Sequence, residues 1–448
     1  MNNLAQRLNH RWQKFLQFGL FVLITTSLFI SLSACGVAVP TSTPVETVQL
    51  TPSRAAPTSP PLPSATPTVV SGTVTIWHAW DESELPALAI IIKAFQQEYP
   101  DVYFDVTYIA EQDLINRYQN EALQGQGPDI LLGPASWGDE LEKADLVMDL
   151  SELAERSLLE TLNQPAFQIS NIGQKIVSLP YSLEGVVLIR NKDVMTLSAD
   201  SLQELVSLSQ SATQGETVGS YLERSFFYSG AHLTGLGGQM MNADSSPAFN
   251  TPEGLTWIEL LQMFESAGPT SFQSDDDLLA FKEGKVGWII DGTWNLQGII
   301  ESLGPENIAI DPWPTFGPGR MSGYVQSENI YLNSKISSSQ LLASWNFAKF
   351  LISPTAQAHL GDAGKIPAAS GANLTDPVNG PLLMQAMTAL ANGVPYPITP
   401  YLSAYEVQIN IALQSIFQGS SPGASLQIAQ GAIQEEVLVL QSTVTPTP

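Results

Sequence analysis

Cysteine is almost missing from this chain: Cys35 is the only one in 448 residues. A lone thiol makes no intramolecular disulfide and supplies no cysteine-rich metal site. Histidine is scarce too, with four scattered copies, so a thiol nucleophile or a His-rich metal centre is hard to build. No HExxH or GxSxG string occurs, and GDAGKIP lacks the first glycine and the closing Ser/Thr of a phosphate loop. Neither a metal nor an organic cofactor is expected. Positive charge is the third shortage: 18 Lys and Arg stand against 43 Asp and Glu, a formal charge of −25, or −28 without Arg7, Arg11 and Lys14. Such a surface repels nucleic acid and anionic headgroups, and it argues weakly against an anionic ligand, although plain solubility explains the acidity as well.

What the chain does have begins with those three bases. They precede the apolar run FLQFGLFVLITTSLFISL, Phe15 to Leu32, with no acid ahead of Cys35. This is the pattern of an export signal, with a free transmembrane helix as the alternative. Leu32-Ser33-Ala34-Cys35 resembles the lipobox of bacterial lipoproteins, which implies cleavage after residue 34 and a lipid anchor on Cys35. Acyl chains contribute about 0.8 kcal/mol per buried methylene, enough in combination to hold a soluble domain on a membrane. From 35 to 71 the chain is rich in Thr, Pro and Ser, as in APTSPPLPSATPTVV, and reads as an extended spacer. The end, STVTPTP, has the same character, so a frayed tail is expected over 441–448.

Between these segments strands and helices alternate. GTVTIW (72–77) is a β-branched strand; SELPALAIIIKAFQQEYP follows as a helix with Ser83 as cap and Pro86 in its first turn. VYFDVTY (102–108), a helix over 112–123 and the short strand in GQGPDILLG continue the βαβαβ order. That order predicts a mostly parallel sheet with ligands bound off the C-terminal strand ends. Two strand ends carry the residue types that hold sugars: Trp77-His78-Ala79-Trp80-Asp81-Glu82 and Gly133-Pro134-Ala135-Ser136-Trp137-Gly138. Flat aromatic faces pack on pyranose C–H faces while carboxylates accept hydroxyl protons. Trp77 reads better as core; Trp80 and Trp137 fit core or stacking equally.

The ordered strings GTVTIWHAW, GQGPDILLG, WGDELEKADLVMDL, SLPYSLEGVVLIRNKDVM and AFKEGKVGWIIDGTWNLQGI resemble the extracellular solute-binding proteins of ABC importers, in their maltose-binding subgroup, from about Gly72 to Val439. The resemblance implies an α/β, two-lobe periplasmic-binding-protein type II fold with a ligand cleft between lobes and three interlobe crossings. Lobe 1 would comprise 72–182 and 323–368, and lobe 2 would comprise 185–318 and 372–440. The first crossing falls at a polar break over Tyr181 to Gly185, before an apolar strand from Val186 to Ile189, and Glu184 would present its acid to sugar hydroxyls or stand as an exposed strand-end residue. Thr251 caps a helix that Pro252 opens and Gly268 stops, and Asp275 to Asp277 read as helix-dipole partners rather than calcium ligands.

By the same resemblance Trp294 stacks on sugar, and Trp80, Asp81, Trp137, Tyr181, Glu184, Tyr228, Asp291 and Tyr405 complete the expected ligand set. Gly133 with the Ala-Ser-Trp run, and Glu406 after Tyr405, depart from maltose binders and argue against maltose itself. The expected role is capture of a sugar or oligosaccharide by a monomer and delivery to a permease. The alternative is a tethered carbohydrate-active enzyme, with Asp81, Glu184 and Asp291 as its acids. An inositol, polyol or peptide ligand also fits the binding role.

Overall fold

One strand decides how the rest of the molecule is arranged. Residues Leu179–Asn191 form a single extended strand of 13 residues, β4 below, in which only Glu184 is more than marginally exposed. The computed structural model describes residues 69–82 and 84–444, with side chains as far as 441. The signal segment 1–34, Cys35, the spacer up to 68, the proposed cap Ser83 and residues 445–448 lie outside the described residues.

The sheet contains β1 (Gly72–His78), β2 (Val102–Tyr108), β3 (Ile130–Pro134), β4, β5 (Val218–Glu223), β6 (Thr270–Ser271), β7 (Val286–Gly292), β8 (Ile308–Asp311), β9 (Tyr324–Leu332), β10 (Ile366–Pro367) and β11 (Val394–Pro395). Its main path runs β2-β1-β3-β9-β4-β7-β5-β6. The β2-β1-β3 end and the β7-β5-β6 end are parallel, as the alternating helices require. The middle is not. Strand β9 runs antiparallel to both β3 and β4, and β4 runs antiparallel to β7, which corrects the expectation of a mostly parallel sheet. The reason is that β9 returns from far along the chain and enters the sheet in the opposite sense.

Along β4 the partners change. Leu179 to Gly185 pair with β9, and Val186 to Arg190 pair with β7. The expected break over Tyr181 to Gly185 is therefore paired strand, with Ser182 and Leu183 also bridged to β10. Gly185 marks the changeover. A Cβ there would lie 2.5 Å from both the Tyr324 carbonyl oxygen and Leu390 Cδ2, so no larger residue fits without movement.

The helices relevant to the site are α1 (Leu85–Glu98), α2 (Glu111–Leu123), α3 (Phe226–Gly235), α4 (Pro252–Ala267), α5 (Asp276–Lys282), α6 (Ser338–Leu351), α7 (Pro354–Asp362), α8 (Gly380–Ala391), α9 (Leu402–Phe417) and α10 (Pro422–Val444). At α4 the Thr251 side chain accepts from Gly254 N, Pro252 sits in the first turn and Gly268 ends the helix. Helix α10 reaches Val444, a correction to the frayed end expected from 441, because no breaker occurs before Pro446.

Each end of the sheet has its own core. One gathers Ile76, Phe95, Ile130, Ile330, Phe347 and Leu351; the other gathers Leu188, Leu205, Trp257, Phe264, Trp288 and Leu413. A third cluster, including Val187, Ile289, Ile310, Val325, Leu383 and Ala386, ties β4 to α8.

Candidate functional site

Strands β3 and β7 end in the same local device. Each runs through a glycine into a single 3-10 turn, Ala135–Trp137 in one case and Thr293–Asn295 in the other. In each, the tryptophan ring folds back over the glycine: a Cβ on Gly133 would meet Trp137 Cζ3 at 2.2 Å, and one on Gly292 would meet Trp294 Cζ2 at 2.0 Å. Only a hydrogen at that position lets the indole lie on the backbone. Trp137 is half-buried beside the cluster of Trp77, Leu131 and Tyr331, whereas Trp294 keeps 41 % of its surface open. Phe227 supports Trp294 with ring centroids 5.8 Å apart, and Tyr396 packs edge-on to Phe227 at 5.3 Å.

On Phe227, the ends of β5 and β7 and the start of α5 enclose a pocket of about 280 Å³. Glu223, Asp275, Asp277 and Asp291 line it together with Phe227 and Tyr228. Backbone N–H groups of Arg224, Ser225 and Gln273 and the Ser271 hydroxyl all donate to Glu223. Asp291 Oδ1 accepts from Gly292 N at 2.6 Å and from Asn295 Nδ2 at 3.0 Å. Burial, reinforced by the Asp291 and Glu223 charges, pushes Asp277 up to about 7; burial pushes Asp291 up to about 6. Burial and then Asp291 raise the Tyr228 hydroxyl, which keeps it protonated as a donor.

A second pocket, about 180 Å³, lies where β4 changes partners, between Glu111, Ser136, Glu184, Gln326, Glu328 and Tyr396. Glu328 is pushed up to about 8, chiefly by burial and then by the Glu184 charge; burial likewise raises Glu184, with Lys365 opposing. Phe227, which lines the acidic pocket and carries Trp294, thus meets Tyr396, which lines this one. The Tyr396 hydroxyl donates to Glu406 Oε1 at 2.5 Å. A larger cavity of about 800 Å³ lies elsewhere, against β8 and α8. Its buried ion pair is already engaged: Asp311 Oδ2 accepts from Arg190 Nε at 2.7 Å and from Trp288 Nε1 at 2.8 Å, which leaves mainly apolar walls.

The family model described as bacterial extracellular solute-binding protein matches residues 91–386. The chain belongs to that family. This solute-binding protein is 24 % identical over 383 residues to the maltotriose-binding protein of Pyrococcus abyssi (strain GE5 / Orsay), covering 82 % of each chain. It is 24 % identical over 371 residues to the galactooligosaccharide-binding protein of Bacillus subtilis (strain 168), covering 77 % of this chain and 85 % of the relative. Among solved structures, a cyclo/maltodextrin-binding protein complexed with maltotetraose superposes with a TM-score of 0.72 at 21 % identity, over 82 % of this chain and 97 % of the other. The solute-binding protein therefore has the two-lobed type II fold of such proteins, and its family places it outside the cytoplasm. Among the described residues no helix is long and apolar enough to cross a membrane.

The expected ligand residues divide in this binding protein. Asp291 and Tyr228 line the acidic pocket, and Trp294 packs on Phe227 at its edge; Trp137 and Glu184 stand at or beside the second pocket. Four others line neither pocket and are corrections. Trp80 (4 % exposed) donates from Nε1 to the hydroxyl of fully buried Tyr181 at 2.8 Å, and both rings belong to the core. Tyr405 is fully buried and donates to the Ser245 carbonyl at 2.7 Å, because its place on α9 faces the core rather than the surface. Asp81 is exposed and its Oδ1 accepts from Glu84 N while Glu84 Oε2 accepts from Asp81 N, so it shapes the turn into α1. Asp277, expected to be a solvated dipole partner, is 5 % exposed and faces the pocket. Glu223, Phe227, Glu328 and Tyr396 escaped notice in the sequence; an acid closing an apolar strand, as in VGSYLE, is the one signal that pointed to Glu223.

Proposed function

We propose that this protein captures a sugar or oligosaccharide in the cleft between its lobes and delivers it to the permease of an ABC importer, held at the membrane by lipid on Cys35. The observation that carries the reading is the half-open Trp294 indole packed on Phe227, a ring that itself lines the pocket of four carboxylates and Tyr228. An apolar flat face next to directional acceptors matches the two sides of a pyranose ring. Both curated relatives described above are named for binding oligosaccharides, and neither supports a tethered enzyme.

In this reading the lobes are 72–182 with 323–368 and 185–318 with 372–440, and Trp137, Glu184, Tyr228, Asp291 and Trp294 touch the ligand. Gly185, where β4 changes partners, is a pivot for lobe closure. The protein acts as a monomer without a cofactor. The deciding experiment is a thermal-shift screen with malto-, galacto- and amino-oligosaccharides, polyols and peptides, followed by product analysis. A ligand that prefers the folded state raises the melting temperature by mass action. A saccharide that does so and is recovered intact supports the proposal; a shift with peptides alone, or release of shorter sugars, refutes it. Fatty-acid labelling that persists in Cys35→Ser would refute the anchor.

A further inference from the structure

The acidic pocket has more negative charge than a neutral sugar requires. Four carboxylates line it, and no Lys, Arg or His is among its lining residues. The nearest base in sequence, Arg224, turns away: its Nη1 pairs with Glu265 at 2.6 Å and its guanidinium lies 3.6 Å from the Phe417 ring centroid. One acceptor is left over in a place where water is scarce. Asp291 is 3 % exposed, its Oδ1 is engaged by Gly292 and Asn295, and its Oδ2 has no hydrogen-bond partner. A buried carboxylate oxygen without a donor is costly and marks where a ligand group belongs.

Sugar hydroxyls could donate to these oxygens, but they would leave the mutual repulsion of the four acids in place. A positive group removes it. The carboxylates do not converge as metal ligands do, since no set of three His, Cys, Asp or Glu among the described residues could hold a metal ion. An ammonium group fits better: it brings three N–H donors that reach separate acceptors, and charge-assisted hydrogen bonds are about twice as strong as neutral ones. The aromatic faces of Phe227 and Tyr228, 5.2 Å apart and nearly perpendicular, add a wall that attracts a cation.

We propose that this pocket receives a protonated amine carried by the ligand, so that the solute is an amino sugar or an oligosaccharide containing one. The inference rests on the carbohydrate-binding reading above. The full chain is titrated calorimetrically with glucosamine oligomers of two to four units, with their N-acetylated counterparts, and with malto-oligosaccharides of equal length. The expected result is at least about tenfold tighter binding of the free-amine series, and a loss of about tenfold or more of that affinity in Asp291→Asn and in Asp277→Asn. Melting curves show that each variant is folded; if Asp291→Asn is not, Asp277→Asn decides. Binding of neutral or N-acetylated sugars with equal or greater affinity overturns the amine site and leaves the carbohydrate reading standing. Failure of all three series overturns both. Stabilisation by calcium or magnesium alone that disappears in the same variants overturns the amine in favour of a metal ion.

Discussion

Truncating Trp294 to alanine separates a ligand platform from a core residue. The side chain keeps 41 % of its surface open, and a buried indole covers up to about 250 Å², so roughly 100 Å² remains for a ligand to cover. At about 25 cal/mol per Å² full coverage contributes about 2.5 kcal/mol, and a sugar covering most of one face contributes about 2 kcal/mol. Trp294→Ala should therefore weaken binding about 30-fold. The stability cost should be smaller than the roughly 3–5 kcal/mol typical of a core tryptophan, because part of the ring already faces solvent. Calorimetric affinity for the ligand found by screening and the urea midpoint without ligand test both halves on one variant. Gly292→Ala is the companion: it keeps the indole but adds a Cβ 2.0 Å from Trp294 Cζ2, so the ring must swing off its seat. An unchanged dissociation constant in Trp294→Ala, together with a collapsed midpoint, would show that the indole is structural and that the site lies elsewhere.

Other substitutions test the framework. Gly185→Ala should lower stability by about 1–3 kcal/mol in chemical denaturation, since its Cβ would press on the Tyr324 carbonyl oxygen and on Leu390; a neutral effect would mean the changeover in β4 is looser than described. Tyr405→Phe should cost about 1 kcal/mol of stability through the lost bond to Ser245 and leave ligand affinity within about twofold, whereas a large affinity loss would restore Tyr405 to the site. Asp277, pushed up to about 7, and Asp291, pushed up to about 6, favour the folded state while protonated. Their stabilisation is complete below the usual carboxyl range near 3.8 and fades as the pH rises through 6 and 7. The ligand-free protein should lose melting temperature between pH 5 and pH 8, and Asp277→Asn should lose less; equal slopes for the two proteins would contradict the pocket's electrostatics.

Local signals carried the first third of the domain well. The expected β1, α1, β2, α2 and β3 appear within about a residue or two of their sequence limits, because β-branched alternation, helical spacing and Pro128 act over short distances. Thr251, Pro252 and Gly268 marked α4 for the same reason. What escaped depends on partners far away in sequence. The polarity of Tyr181 to Gly185 suggested a break, yet β9 and β10 pair along that stretch and hold it extended. Asp277 looks solvent-bound in SDDDLLAF, and only the arrival of Glu223 and Asp291 from neighbouring strands encloses it. Tryptophan and tyrosine identities alone did not separate the open Trp294 from the enclosed Trp80, Tyr181 and Tyr405. The glycine beneath each strand-end indole was the better clue, since it tells which ring lies flat on backbone.

Strand β9 has a consequence for how the chain comes into being. It supplies the neighbour of both β3 and β4, and the Tyr331 hydroxyl donates to the Pro134 carbonyl across 197 positions at 2.7 Å. During synthesis, the sheet edges made first have no partner until residue 332 has emerged, and contacts of such long range form slowly. A chain of an extracellular family is thereby kept from closing its sheet early. The same wiring means that neither half can be expressed alone by cutting the chain once: a fragment ending before Tyr324 leaves β3 and β4 with bare, aggregation-prone edges.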